Sequence, residues 1–421
     1  PQFLRPDSQK VKQPVRIAIV GAALSANKGA AAMLETVIAR MPDVVGECRF
    51  DILTTYPEAD AQRAPIGSDV RIVGLQPLRL ALVEFPIACL VFVARVLRLP
   101  TFWVRSRGCR SMLDADVVVD VAGISFADGR GIAILGYNVL MTGVPLLLGV
   151  PTVKAAQAMG PFKTLPTKIA AKLVLPHLST ICARGARTRE HLDSLRLTNV
   201  VDVADLAFSL SEAAELPSVV AASIRAAGDD FIVVMPSAVV RGIYESQGGN
   251  YVEAVASLVS EIRIATGKGV VIAPHSYRVG MPEGRMNDGP VCREVSAACT
   301  ADPMVVGVDA DLTAGELRKL VSMGSVLVTS RFHAMISGLA TCTPTVVVGW
   351  SHKYKEVLDD FGLAQYGMDS TELNNPQKLG RVVGDVLASR EQIAHQIRDA
   401  LPAVQERSMK NFALIAAAVK A

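Results

Sequence analysis

Aromatic residues are scarce in this 421-residue chain, with Phe, Trp and Tyr together making up 5%. Charge is scarce too: 20% of residues are charged, and the net charge is +3. Nucleic-acid binding calls for a basic stripe interleaved with stacking platforms, and this composition supplies neither. The seven cysteines (48, 89, 109, 182, 292, 299 and 342) form no CxxC pair and no Cys/His ligand spacing. That scatter fits reduced thiols in a cytoplasmic protein and excludes both a disulfide framework and a structural zinc site. There is no GxGxxG and no P-loop, so no nucleotide fingerprint is present. No secretory signal is legible, and residues 1–14 (PQFLRPDSQKVKQP) read as a loose polar tail.

Apolar residues, by contrast, are plentiful: they make up 50% of the chain, and its mean hydropathy is +0.34. The length exceeds what a single core usually fills, so two domains are expected. Short β-branched runs alternate with helix-like segments throughout. In the first half they are VRIAIV, FDILTT, DVRIVGL, DVVVD, PTVKAAQAM, STICAR and NVVDV, and in the second FIVVM, GVVIA, MVVGV, VLVT and TVVV. This alternation predicts an α/β protein with two doubly wound, Rossmann-like parallel sheets facing one cleft. The expected divisions are a first domain over 15–210, an Ala-rich connector over 211–229, and a second domain over 230–375. Helices over 376–421 are expected to cross back to the first domain.

Residues 326–357 concentrate the chemistry. Val326–Thr329 is a buried strand, Ser330 a candidate helix N-cap, and Arg331, Phe332 and His333 open the helix that follows. The next strand exits into Gly349, Trp350, Ser351, His352 and Lys353. Strand exits of an open parallel sheet line the ligand crevice, and helix N-termini there present N–H groups to anions. Arg331, His333, His352 and Lys353 therefore point to a phosphorylated or carboxylated ligand. Long charged side chains after an apolar strand gain nothing from packing, so Arg331 and His333 are read as functional. A lone histidine such as His352 is more often structural.

Other strand exits carry Asn27-Lys28-Gly29, Asp120 and Asp128, Gln157, Arg184 and His275. Residues 76–104 (QPLRLALVEFPIACLVFVARVLRLPTFWV) form the longest apolar stretch, with arginines at 95, 98, 105, 107 and 110 around its end. It falls a little short of the ~20 uninterrupted apolar residues of a membrane span. Two readings stand: a buried pair of core helices, or an interfacial segment resting on an anionic membrane through residues 76–110.

With these residues assembled, the chain resembles the polysaccharide pyruvyl transferase family from about residue 17 to 364. NKGAAAML, DVVVDVAGISFAD, QAMGPF, ARGARTRE, DLAF, APHSY, NDG, and SRFHAMISG with WSHKYKEV follow the order of that family's motifs. Ala30 stands where the family often has an acidic residue, and Val121-Ala122-Gly123 where a Gly pair is usual.

The resemblance implies a GT-B-like fold, with the acceptor on the first domain and the donor on the second. It implies transfer of a pyruvyl group from phosphoenolpyruvate to two hydroxyls of a sugar in a polysaccharide or glycolipid, giving a cyclic ketal and phosphate. Phosphoenolpyruvate is then a co-substrate, with no further cofactor and no metal. Expected roles are donor binding by Arg331, Lys353 and Arg184, general acid catalysis by His333 with His275 as second candidate, and Asp120 or Asp128 as base. Asn27, Gly29, Gln157 and His352 complete the expected substrate contacts. The competing readings are a GT-B glycosyltransferase using a nucleotide sugar and a non-catalytic, glycan-binding membrane scaffold.

Overall fold

The computed structural model describes residues 13–419, apart from 66, 279–283, 285–286 and 350–352. The first sheet contains β1 (Val15–Val20), β2 (Cys48–Thr54), β3 (Val70–Gly74), β4 (Val117–Asp120), β5 (Ile124–Ser125), β6 (Thr152–Met159), β7 (Thr180–Arg184) and β8 (Val200–Val203). Its order is β3-β2-β1-β4-β6-β7-β8, with β5 added beside β6. The second contains β9 (Phe231–Met235), β10 (Gly269–Ile272), β11 (Val305–Gly307), β12 (Val326–Thr329), β13 (Thr345–Gly349) and β14 (Gly367–Asp369), in the order β11-β10-β9-β12-β13-β14. Every pairing within the two sheets is parallel. The expected fold class, two parallel-sheet α/β domains, is the one observed.

Alternation along each strand divides the apolar side chains between two faces. On one face of the first sheet, Ile17 and Ile19 pack with Met33 and Val37 of the Lys28–Val45 helix. On the other, Ala18 and Val20 meet Ala88 and Val91 of the Phe85–Val96 helix and Met141 and Val144 of the Ile132–Leu148 helix. The last helix, Arg390–Val419, places Ile393, Ile397 and Val404 in the second domain's core. Its end places Phe412, Ile415 and Ala418 in the core of the first.

The apolar stretch after Gln76 is neither a buried helix pair nor a fully exposed one. It is a helical run from Pro77 to Val96 with a π turn at Leu80–Glu84. Leu80, Glu84, Ala88, Val91 and Ala94 form its buried stripe. The charge inside this run is satisfied: Glu84 accepts from the Cys109 amide at 2.9 Å, from Arg79 at 3.0 Å and from the Ser106 hydroxyl. Leu80, Ala88, Val91 and Ala94 face the core, and Leu82, Leu90 and Phe92 face outward.

Candidate functional site

An open α/β sheet binds ligands where its strand order reverses, because loops there diverge and leave a crevice. The reversal in the second sheet lies between β9 and β12. Thr329 ends β12 opposite Met235 of β9. The N-cap of the following Phe332–Ala340 helix is Arg331, not Ser330: its backbone is extended (φ −112°, ψ 128°), and Thr329 Oγ1 accepts its N–H at 3.0 Å. The Arg331 guanidinium pairs with the buried Asp288 carboxylate. That carboxylate also accepts the Ala238 amide at 2.9 Å and the Ser276 amide at 3.0 Å. One carboxylate thus ties together the exits of β9, β10 and β12.

His333 occupies the first turn of the same helix, with Nε2 3.6 Å from Asp205 Oδ2 of the first domain. Arg184, at the end of β7, donates to that same carboxylate oxygen at 2.6 Å and to the Gly123 carbonyl at 2.9 Å. Asp205 is held in place from two sides. It accepts the Ala207 amide at 2.9 Å, and its carbonyl receives the Ser408 hydroxyl of the last helix at 2.8 Å. Phe332 forms the floor between the cations: Arg184 lies 5.0 Å and Lys353 Nζ 4.9 Å from its ring centroid. Cationic groups favour such a ring face.

The Lys28–Val45 helix closes the third side. Asn27 caps it by accepting the Gly29 amide at 3.0 Å. Gly29 packs directly on the His333 ring; a Cβ there would lie 2.1 Å from Nδ1, so any larger residue must push the two apart. Lys28 is buried and reaches across the domain seam to Asp311 at 2.7 Å.

Burial and crowding of positive charge dominate the electrostatics. Lys353 is lowered to about 8, first by burial and then by Arg184 and Arg331. His275 is driven well below 6.5 by burial and by His333 and Arg331 nearby. His333 is also lowered: burial outweighs the attraction of Asp205, and Arg184 and Lys353 oppose the proton further. Asp205 is held far below the usual carboxylate range, because Arg184 and His333 overcome its burial. An anion entering here relieves repulsion among Arg184, Arg331 and Lys353.

The structure therefore brings Arg184, Arg331, His333, Lys353 and His275 together with Asn27 and Gly29. Asp120 and Gln157 lie in a buried network beside β5. Lys154 pairs with the Asp120 carboxylate, the Ala122 amide donates to it at 3.0 Å, and Gln157 donates to the Asp120 carbonyl at 2.8 Å. Asp128 anchors the segment that leads into the Leu165–Val174 helix: it accepts the Lys163 amide and the Thr164 hydroxyl, each at 2.6 Å. His352 lies outside the described residues. Three site residues stood in quoted motifs without an assigned role: Lys28, Asp205 in DLAF and Asp288 in NDG. The signal for the two aspartates was the arginines themselves, since a buried guanidinium demands a carboxylate partner.

The polysaccharide pyruvyl transferase family model matches residues 27–352. No curated protein matches the chain. Among solved structures, the UDP-GlcNAc 2-epimerase of Neisseria meningitidis bound to UDP-GlcNAc superposes with a TM-score of 0.55 at 11% identity, over 94% of this chain and 100% of that one. The Methanocaldococcus jannaschii UDP-GlcNAc 2-epimerase gives 0.55 at 11% identity, over 89% and 99%. HepE of Anabaena, in complex with UDP and glucose, gives 0.55 at 9% identity, over 96% and 99%. At such identities these likenesses speak to the GT-B fold alone.

Proposed function

Since the chain belongs to the polysaccharide pyruvyl transferase family, we propose that it moves the pyruvyl group of phosphoenolpyruvate onto two hydroxyls of a sugar in a polysaccharide or glycolipid. The observation that carries this reading is the convergence of Arg184 and Lys353, from both domains, around Phe332 and His333, with Arg331 at the N-cap of the same helix close enough to act on Lys353. Phosphoenolpyruvate carries a phosphate and a carboxylate on a three-carbon frame, and planar guanidinium groups suit both anions.

In the proposed reaction two C–O bonds form at C2 of the donor and the bond to phosphate breaks. The sugar gives up two hydroxyl protons: one becomes part of the new methyl group, and the other leaves with phosphate. His333 is the proposed proton carrier, oriented by Asp205, with His275 as the second candidate. Before donor arrives, burial and nearby cations disfavour its protonated form. The negative charge of the donor reverses that balance, so the proton becomes available when it is needed. Asp120 is the proposed base toward the acceptor. It stands beside Gly21 at the reversal between β1 and β4, and it must yield its ion pair with Lys154 to take a proton.

The test is phosphate release from phosphoenolpyruvate, with and without a panel of glycan acceptors, alongside binding of uridine and guanosine nucleotide sugars. Acceptor-dependent phosphate release with no nucleotide binding is expected. Nucleotide-sugar binding without phosphate release would transfer the cationic cleft to a glycosyltransferase reaction, because a diphosphate suits the same cations.

A further inference from the structure

The first domain carries a face that the proposed chemistry leaves unused. The Pro77–Val96 run, the Ile132–Leu148 helix and the Leu165–Val174 helix lie side by side over one face of the first sheet. Their outward side chains, with those of the loop that follows Val96, are large and apolar. Leu82 is 72% exposed, Leu90 58%, Phe102 80%, Ile132 73%, Leu165 69% and Leu173 67%. Scattered exposed leucines need no explanation, but a face shared by three neighbouring helices marks a surface that something covers.

Charge identifies the occupant. No acidic residue occurs between Glu84 and Asp114, and none between Asp128 and Glu190. The exposed charges on these elements are basic, including Arg98, Arg105, Arg107, Lys168 and Lys172. An apolar face rimmed by one sign of charge matches a bilayer with anionic headgroups. A second copy of the chain, seated symmetrically, would set one basic rim against another.

The face rests on a bilayer and does not cross it. The Pro77–Val96 run is 20 residues long, enough to span by length and composition. Yet Leu80, Ala88 and Val91 belong to the same core as Ala18 and Val118 of the sheet, and crossing would tear them out. The face also borders the cleft. Arg130 precedes the exposed Ile132 by two residues and donates to the Ile124 carbonyl at 3.2 Å, next to the Gly123 carbonyl that accepts from Arg184 at 2.9 Å.

We propose that this face docks the protein on an anionic membrane, and that the acceptor sugar enters the cleft while still attached to its lipid. The second clause rests on the pyruvyl-transfer reading; the first does not. Flotation of the full chain with vesicles tests it, using equal parts phosphatidylglycerol and phosphatidylcholine against phosphatidylcholine alone, in low and high salt. Binding to the anionic vesicles that salt weakens is expected. Each arginine near the surface contributes about fivefold, so Arg98→Gln, Arg105→Gln and Arg107→Gln together weaken binding about a hundredfold. Leu82→Ser, Leu90→Ser and Phe102→Ser together abolish it, whereas Ile264→Ser, exposed on the second domain, changes nothing.

Failure to float in low salt, or flotation of both triple variants like the parent, overturns the proposal. So does a dimer in low salt that Phe102→Ser dissolves, which assigns the face to a second copy. Phosphate release with a water-soluble acceptor is measured on the same preparations. Flotation without transfer sinks the catalytic reading and leaves docking intact, and transfer without flotation does the reverse.

Discussion

Arg331 serves the fold and the proposed donor site at once, and the two contributions separate experimentally. Removing its guanidinium leaves the Asp288 carboxylate in the core without its counter-charge. Arg331→Ala is therefore expected to cost about 3 kcal/mol in urea unfolding, and a further 1.5–3 kcal/mol, roughly, in phosphoenolpyruvate affinity by calorimetry. Arg331→Lys keeps the charge and restores most of the stability, but not the two-pronged grip on an anion. If the Lys variant binds donor like the parent, Arg331 is a structural residue only. For His333 the expectation is the opposite split: His333→Gln keeps donor affinity and loses on the order of 10²–10⁴ in turnover. The pH profile is a second readout. The proton-bearing form of the free protein is lost as pH rises through a value below 6.5, so kcat/KM falls from there upward, and the Gln variant lacks that fall. A variant with an unchanged profile removes His333 from proton transfer.

Helices bring these residues within reach, and their approach is controlled by small side chains. Gly29 lets the Lys28–Val45 helix lie against the His333 ring; a methyl group at that position collides with Nδ1. Gly29→Ala is expected to lower turnover at least tenfold, a barrier change of about 1.4 kcal/mol, and to destabilise the protein by about 1–3 kcal/mol as an overpacked contact. Steady-state kinetics beside thermal unfolding check it, and full activity would show that the helix can retreat freely. At this scale the sequence was legible where local pattern decides the outcome. The β-branched runs before Ser330 and after Pro344 marked β12 and β13, and the cations at their exits followed. It marked Asp205 in DLAF but not its partner, because Asp205 meets His333 only when the second domain folds against the first. It also could not show which face of the Pro77–Val96 run is buried, since Ala88 and Ala94 inside and Leu82 and Leu90 outside look alike to hydropathy. The expectation of Ser330 as cap missed by one residue, because Thr329 holds the Arg331 amide instead.

Across the whole molecule, the two domains meet along a charged seam. Lys28 and Arg63 of the first domain share Asp311 of the second, the Arg187 amide donates to Glu356 at 2.9 Å, and Arg278 lies 4.7 Å from the centroid of the Tyr56 ring. Glu35 belongs to this seam, and burial raises it from 4.5 to about 7 against the pull of Lys28 and Arg63. A carboxyl group whose folded pKa is raised stabilises the fold fully below its unfolded value. That stability is lost as pH rises through the folded value. For Glu35 the window runs from 4.5 to about 7. Above it, the folded protein holds a carboxylate in a site that favours the neutral acid. Glu35→Gln is neutral at every pH, so it is expected to raise stability near pH 8 by on the order of 2 kcal/mol, the shift being discounted for its partial exposure. Near pH 5 most of that gain disappears, because the folded parent already carries the proton. Thermal unfolding of parent and variant across this range decides the matter. If the variant gains nothing at the higher pH, the cations of the seam stabilise the Glu35 carboxylate enough to offset its burial.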